Sequence, residues 1–317
     1  MAKPSTQELC RYVDMWAVPG VHPTNVELLQ QLKSAATQQF TKNMDVVGTV
    51  AELDSETRKW HRTHLIGVRT DIWRPDQQEL TKSLRVVKKK RKVELKRTIK
   101  RSGRLSDTQS RLLESTIETD SIMRMDSDDI ESRRLVLKLF KTTGKRVRWC
   151  GTIEQMTTTE VHSSIGSNRS LLSMAAMLPG TDFVTNIQQN HRTFRIPSVF
   201  TFCFYNDQRM WHLTLKRRWI SIGPDFDIEA DGDSVGLLDG KLLSLGSDSY
   251  IQLDPHTLTA NTRFVDLVTL FTASVGYHLA MRRSVRRRVR ATREGDWHRH
   301  IIQDEELRLR HNGRAAA

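Results

Sequence analysis

The strongest constraint on the fold is a change of hydrophobic period near Arg133. From there apolar residues recur at every second position instead of every third or fourth, the signature of half-buried strands. Leu135, Leu137 and Leu139 alternate, a Thr142–Gly144 turn follows, and Val147, Trp149 and Gly151 continue on the far side. Phe200, Phe202 and Phe204 alternate up to an Asn206–Asp207 turn, and Trp211, Leu213 and Leu215 alternate after it. Phe226, Ile228 and Ala230 run to Asp231–Gly232, and Val235–Leu238 runs to Asp239–Gly240, both of them hairpin dipeptides. Leu242–Leu245 and Tyr250–Leu253 complete the run. Short strands at such spacing predict an antiparallel meander closed into a barrel or stacked as a sandwich. Residues 157–190, rich in Ser, Thr, Asn and Gly with a helical piece near Leu171–Met177, read as a loop insertion in it.

Behind the meander stands the most apolar segment of the chain, Phe264–Met281, apolar nearly all round a helical wheel. A helix of that kind belongs inside a protein or inside a bilayer. Eighteen residues just reach the length of a span, and the arginines from Arg282 onward would anchor it on the cytoplasmic side. Asp266 and His278 favour the protein interior, because ionisable groups are costly in lipid.

The chain before residue 130 reads differently. Ser5 to Glu8 and Thr24 to Glu27 have capping-box spacing and predict helices, one carrying Leu9, Val13 and Trp16 and one over residues 25–41. Residues 44–75 hold two short apolar runs, Val46–Val47 and Leu65–Val68, with no assignable period. Ser106 to Gln109 is a third capping box. The expected organisation is a helical, charged region over 1–130, a barrel over 133–290 and a polar tail over 291–317.

Charge narrows the function classes. The net charge of +13 comes from two strips: twelve Lys or Arg between Lys82 and Arg104, and seven Arg between Arg282 and Arg293. Without them 31 basic residues face 36 acidic ones, a net of −5. Such localisation favours a polyanionic partner. The candidate anion-binding residues are Lys88, Lys89, Lys90, Arg91 and Lys92 in the first strip. In the second they are Arg282, Arg283, Arg286, Arg287, Arg288 and Arg290. Arginine suits bidentate phosphate contacts. Two bland readings stand beside this one: the acidic block at 114–131 neutralises the first strip, and the second complements a helix C-terminus. Lys88–Val93 also has the form of a nuclear import signal in a eukaryotic cell.

Chemistry-bearing motifs are few. Cys10, Cys150 and Cys203 include no CxxC and form neither a disulfide framework nor a zinc ribbon, which points to a reducing compartment. His61–His64 and His298–His300 have no carboxylate or cysteine at ligand spacing and read as solvated. Asp227–Glu229–Asp231 imitates a calcium loop, but Leu238 stands where its bidentate Glu belongs. The nucleophile-elbow, phosphate-loop and dinucleotide glycine motifs do not occur. These residues predict no catalytic group, metal or cofactor.

The stretch 217–253, with Gly232, Val235, Gly236, Asp239, Gly240 and Lys241, resembles the tubby C-terminal-like superfamily, especially its LURP-one-related branch. The resemblance covers residues 193–290, or 133–290 if the first hairpin belongs to it. It implies an antiparallel barrel around a central hydrophobic helix, supplied by Phe264–Met281. Other branches of the superfamily bind phosphoinositide headgroups or are linked to phospholipid scrambling. The expected function is therefore a non-enzymatic adaptor that contacts anionic phospholipid headgroups, cytoplasmic and peripheral at a membrane. Nucleic-acid binding, nuclear in a eukaryote, is the first alternative, and a C-terminal membrane anchor is the second. A protein partner for the N-terminal helices is a further expectation.

Overall fold

The computed structural model describes residues 8–16, 44–73, 81 and 133–295, except 145, 168, 182, 191–197, 220–222 and 242–246. Twelve antiparallel strands close into one barrel among these residues. In chain order they are β1 (Leu9–Met15), β2 (Met44–Leu53), β3 (Trp60–Arg69), β4 (Val136–Thr143), β5 (Arg146–Gln155), β6 (Ser173–Met177), β7 (Thr185–Asn190), β8 (Val199–Asn206), β9 (Arg209–Arg217), β10 (Phe226–Ala230), β11 (Asp233–Lys241) and β12 (Ser247–Leu253). Each pairs with its neighbours in sequence, and β1 closes the ring by pairing with both β2 and β12. Closure leaves no edge strand with unsatisfied backbone groups. Three helices lie among the described residues: α1 (Thr157–Ile165), α2 (Thr262–Val275) and α3 (His278–Arg293).

This architecture corrects the expected fold class in three places. First, Leu9–Met15 is a strand, although a capping box precedes it, and no helical N-terminal layer exists among the described residues. Arg11, Val13 and Met15 alternate inward, and pairing on both sides outweighs a local capping signal. The first and second domains of the expectation are therefore one barrel, since β1, β2 and β3 share its sheet with β4 to β12. The expected helices over 25–41 and after Ser106 lie outside the described residues.

Second, residues 157–190 are not a loop insertion. They hold α1, β6 and β7, and Ser173–Met177 is a barrel strand rather than a helical piece. All five of its residues are buried, so its two faces show no alternation to read. Third, Phe264–Met281 is not one central helix. It breaks at Gly276–Tyr277 into α2 and α3, two C-terminal helices bent 68° apart. A Cβ at Gly276 would meet Ser247 Oγ at 3.0 Å, so the chain turns where it passes close against β12. No single helix among the described residues is long and apolar enough to cross a membrane.

The hairpins follow their sequence signals more closely. Asp231 and Gly232 turn β10 into β11 with φ of 51° and 98°, and Asp207 and Gln208 join β8 to β9 with φ of 49° and 61°. Positive φ at both central residues matches the right-handed twist of the strands. The Asp239–Gly240 dipeptide is an exception and lies inside β11, paired with Tyr250 and Ser249.

α2 is buried from Phe264 to Ser274 and shares the barrel's main hydrophobic cluster with Phe200, Phe226, Leu213 and Ile251. Its hydroxyls are satisfied within the helix: Thr269, Thr272 and Ser274 donate to the carbonyls of Val265, Val268 and Phe271. Phe271 meets Phe200 and Phe226 edge-on at 5.1 and 5.6 Å. Beyond α2, Tyr277 donates to the Trp16 carbonyl at 3.1 Å. α3 then lies against the rim where β1 ends and β4 and β8 begin.

Candidate functional site

α3 sorts its arginines by face. Met281, Ser284, Val285, Arg288 and Ala291 are buried at helical spacing. Leu279, Arg286, Arg287 and Arg290 are exposed, and Arg282 and Arg283 are half-buried between the two faces. Lys88 to Lys92 lie outside the described residues.

One candidate is corrected. Arg288 is 3% exposed; it sits 3.6 Å from Glu160, which is fully buried, and donates to the Arg133 carbonyl. Glu160 also accepts from Gln155 at 2.7 Å and from the Ser173 backbone at 3.2 Å. Arg288 ties α3 to α1 and β6, and its charge is spent inside the protein.

Arg282 is placed differently. Its Nη2 donates to Ser198 Oγ at 2.9 Å, while its Nε is buried with no hydrogen-bond partner among the described residues. Neither Arg282 nor Arg286 has an ion pair among the described residues. Burial lowers the Arg282 pKa, and the like charges of Arg217, Arg286 and Arg169 lower it further. The charges of Arg286 on α3, Arg217 at the end of β9 and Arg169 in the turn after α1 are thus felt at Arg282. His278, one helical turn before Arg282, completes the set. Burial, then Arg282 and Arg217, push its pKa down to about 3, and its Nε2 is buried with no hydrogen-bond partner among the described residues. Like charges brought near one another raise the local potential and attract an anion.

Sequence reading located Arg282 and Arg286 but missed Arg169, Arg217, Ser198 and His278. Arg217 carried a signal, the basic triplet Lys216–Arg217–Arg218 at a strand end. Its neighbours are spent on strand β10: Lys216 pairs with Glu229, and Arg218 with Asp227 at 2.7 Å. Arg169 has no basic neighbour in the sequence and carried no signal.

A second polar cluster lies within the barrel, and it corrects the reading of His64 as solvated. His64 is 1% exposed, whereas His61 is exposed. Burial pushes the His64 pKa down to about 2, helped by Arg11, Lys141 and Arg148, so the imidazole is neutral. Arg11 donates to Asp266 Oδ1 and Thr269 Oγ1, both at 2.8 Å, and pairs with Glu52 at 2.6 Å. Burial raises the Asp266 pKa, and Arg11 opposes the shift. Cys150, also buried, has its thiol pKa raised by burial and by Asp266.

The fold and the basic rim define the class on structural grounds: a closed β-barrel with an arginine-lined helix at one end. Compared with protein-family models, curated proteins and solved structures, the chain matches none.

Proposed function

We propose that the protein is a non-enzymatic binding protein that holds an anionic phospholipid headgroup at the rim of the barrel, between α3, β9 and the turn after α1. The observation that carries this reading is Arg282, half-buried among three like charges with its Nε unpartnered. A phosphate oxygen there gains charge-assisted hydrogen bonds from Arg282 and relieves the repulsion with Arg217 and Arg286.

Exposed apolar residues favour a lipid surface over nucleic acid. Leu279, 74% exposed, begins the outward face of α3, and Trp219, 58% exposed, follows Arg217 by two residues. Apolar side chains beside cations suit the boundary of headgroups and acyl chains. The resemblance of residues 217–253 to tubby-like proteins, some of which bind phosphoinositide headgroups, supports the same reading.

Vesicles of neutral phosphatidylcholine, alone and with phosphatidylserine or a phosphoinositide, test it by co-sedimentation. Binding only with acidic lipid, weakened by Arg282→Gln and Arg286→Gln, supports it. If duplex DNA displaces the protein from acidic vesicles at micromolar phosphate, the anion at this rim is a nucleic acid and the lipid reading fails.

A further inference from the structure

Two neighbouring irregularities point the same way. In β3, Val50 pairs with His64 and Ala51 with Arg62, so Thr63 opposes nothing on β2. In β5, Leu139 pairs with Gly151 and Phe140 with Trp149, so Cys150 opposes nothing on β4. Bulges re-aim side chains and gather next to functional sites. Here they leave His64 and Cys150 together in the interior, facing Asp266 of α2. One ligand atom from each of the three lies within 4.8 Å of the other two.

Three atoms that close fit within about 2.8 Å of a common centre. Zinc takes His nitrogen at about 2.0–2.1 Å, carboxylate oxygen at about 2.0–2.2 Å and Cys sulfur at about 2.3 Å. Small rotations of the three side chains close the gap of roughly half an ångström. The neighbouring groups are arranged for such an occupant. Thr63 Oγ1 lies 2.8 Å from His64 Nδ1 and holds the ring with Nε2 toward Asp266, at 3.8 Å from Oδ1. That separation is too long for a hydrogen bond. Arg11 donates to Oδ1 of Asp266, as an outer partner that orients a ligating carboxylate does.

We propose that His64 Nε2, Cys150 Sγ and a carboxylate oxygen of Asp266 form a zinc site inside the barrel, with water as the fourth ligand. The mixed nitrogen, sulfur and oxygen set suits this borderline ion better than magnesium or calcium, which take oxygen ligands. The ion would join β3, β5 and α2, and so fix the helix to the barrel wall.

Cobalt(II) titrated into the full chain, stripped beforehand with a chelator, gives the direct readout. The expected result is one ion per chain, visible bands of a tetrahedral centre and an intense near-ultraviolet thiolate-to-cobalt band. Zinc should displace the cobalt. Cys150→Ser should abolish the near-ultraviolet band, Cys203→Ser should leave it, and His64→Gln should weaken binding at least tenfold. If Cys150→Ser does not fold, the Cys10→Ser/Cys203→Ser double variant decides, because Cys150 is then the sole thiol. A band retained in it supports the site, and a band lost overturns it. No thiolate band in the wild type, or one that survives Cys150→Ser in folded protein, also overturns the proposal.

Discussion

At the scale of single residues, the α3 arginines are chemically identical and energetically unlike. Arg288 sits opposite buried Glu160, and Arg287 faces solvent. Removing one partner of a buried pair leaves the other charge uncompensated, at a cost of about 3–5 kcal/mol. Exposed charges usually matter by about 0.5 kcal/mol or less. Arg288→Ala should therefore cost about 3–5 kcal/mol in urea denaturation while Arg287→Ala leaves the midpoint almost unchanged; equal effects would contradict the placement of Arg288. His278 supplies a pH dependence. Its pKa is about 3 in the folded protein against an ordinary 6.5, so the unfolded chain takes up the proton first. Its contribution to stability is complete above pH 6.5 and is lost as the pH falls from there toward 3. The melting temperature should fall between pH 7 and pH 5, and fall less in His278→Gln; parallel curves would show that His278 is not buried as described.

At the scale of elements, legibility followed solvent. Strands with one wet face, such as β8, β9 and β10, alternate in sequence as they do in space. Strands buried on both faces, such as β6, give no alternation, and β2 and β3 are interrupted by bulges that break the period. β1 was hidden behind a capping box whose local preference lost to two strand partners. Gly236 shows why the motif at 232–241 is more than turn chemistry. It has a φ of 150°, and a Cβ there would stand 2.3 Å from the Gln252 carbonyl oxygen on β12. Gly236→Ala should destabilise well beyond the about 1 kcal/mol of an ordinary substitution, because it pushes apart the β11–β12 ladder. Circular dichroism melts that match wild type would contradict this. Leu270 of α2 is fully buried, and Leu270→Ala should cost about 2–5 kcal/mol, whereas a lipid-facing position would show much less in detergent.

At the scale of the whole molecule, the sequence located charge but not its use. A run of arginines announces itself. Which of them are spent on internal carboxylates depends on the face of α3 that meets the barrel, and that face is set by the break at Gly276–Tyr277. Arg169, Arg217 and Ser198 join Arg282 only because barrel closure and the turn after α1 bring distant residues to one rim. His64, Cys150 and Asp266 escaped for a related reason: they lie on β3, β5 and α2, and no spacing rule links residues so far apart in sequence. The central claim is that this rim holds an acidic headgroup through Arg282 and Arg286, and titration with vesicles of rising acidic-lipid content tests it most directly. Each charge lost near the surface should cost about 1 kcal/mol of binding, so Arg282→Gln/Arg286→Gln should bind acidic vesicles about thirtyfold more weakly than wild type. It should melt no lower, and neither protein should bind neutral vesicles. Equal binding of both proteins to acidic vesicles, or binding that ignores lipid charge, would contradict the account.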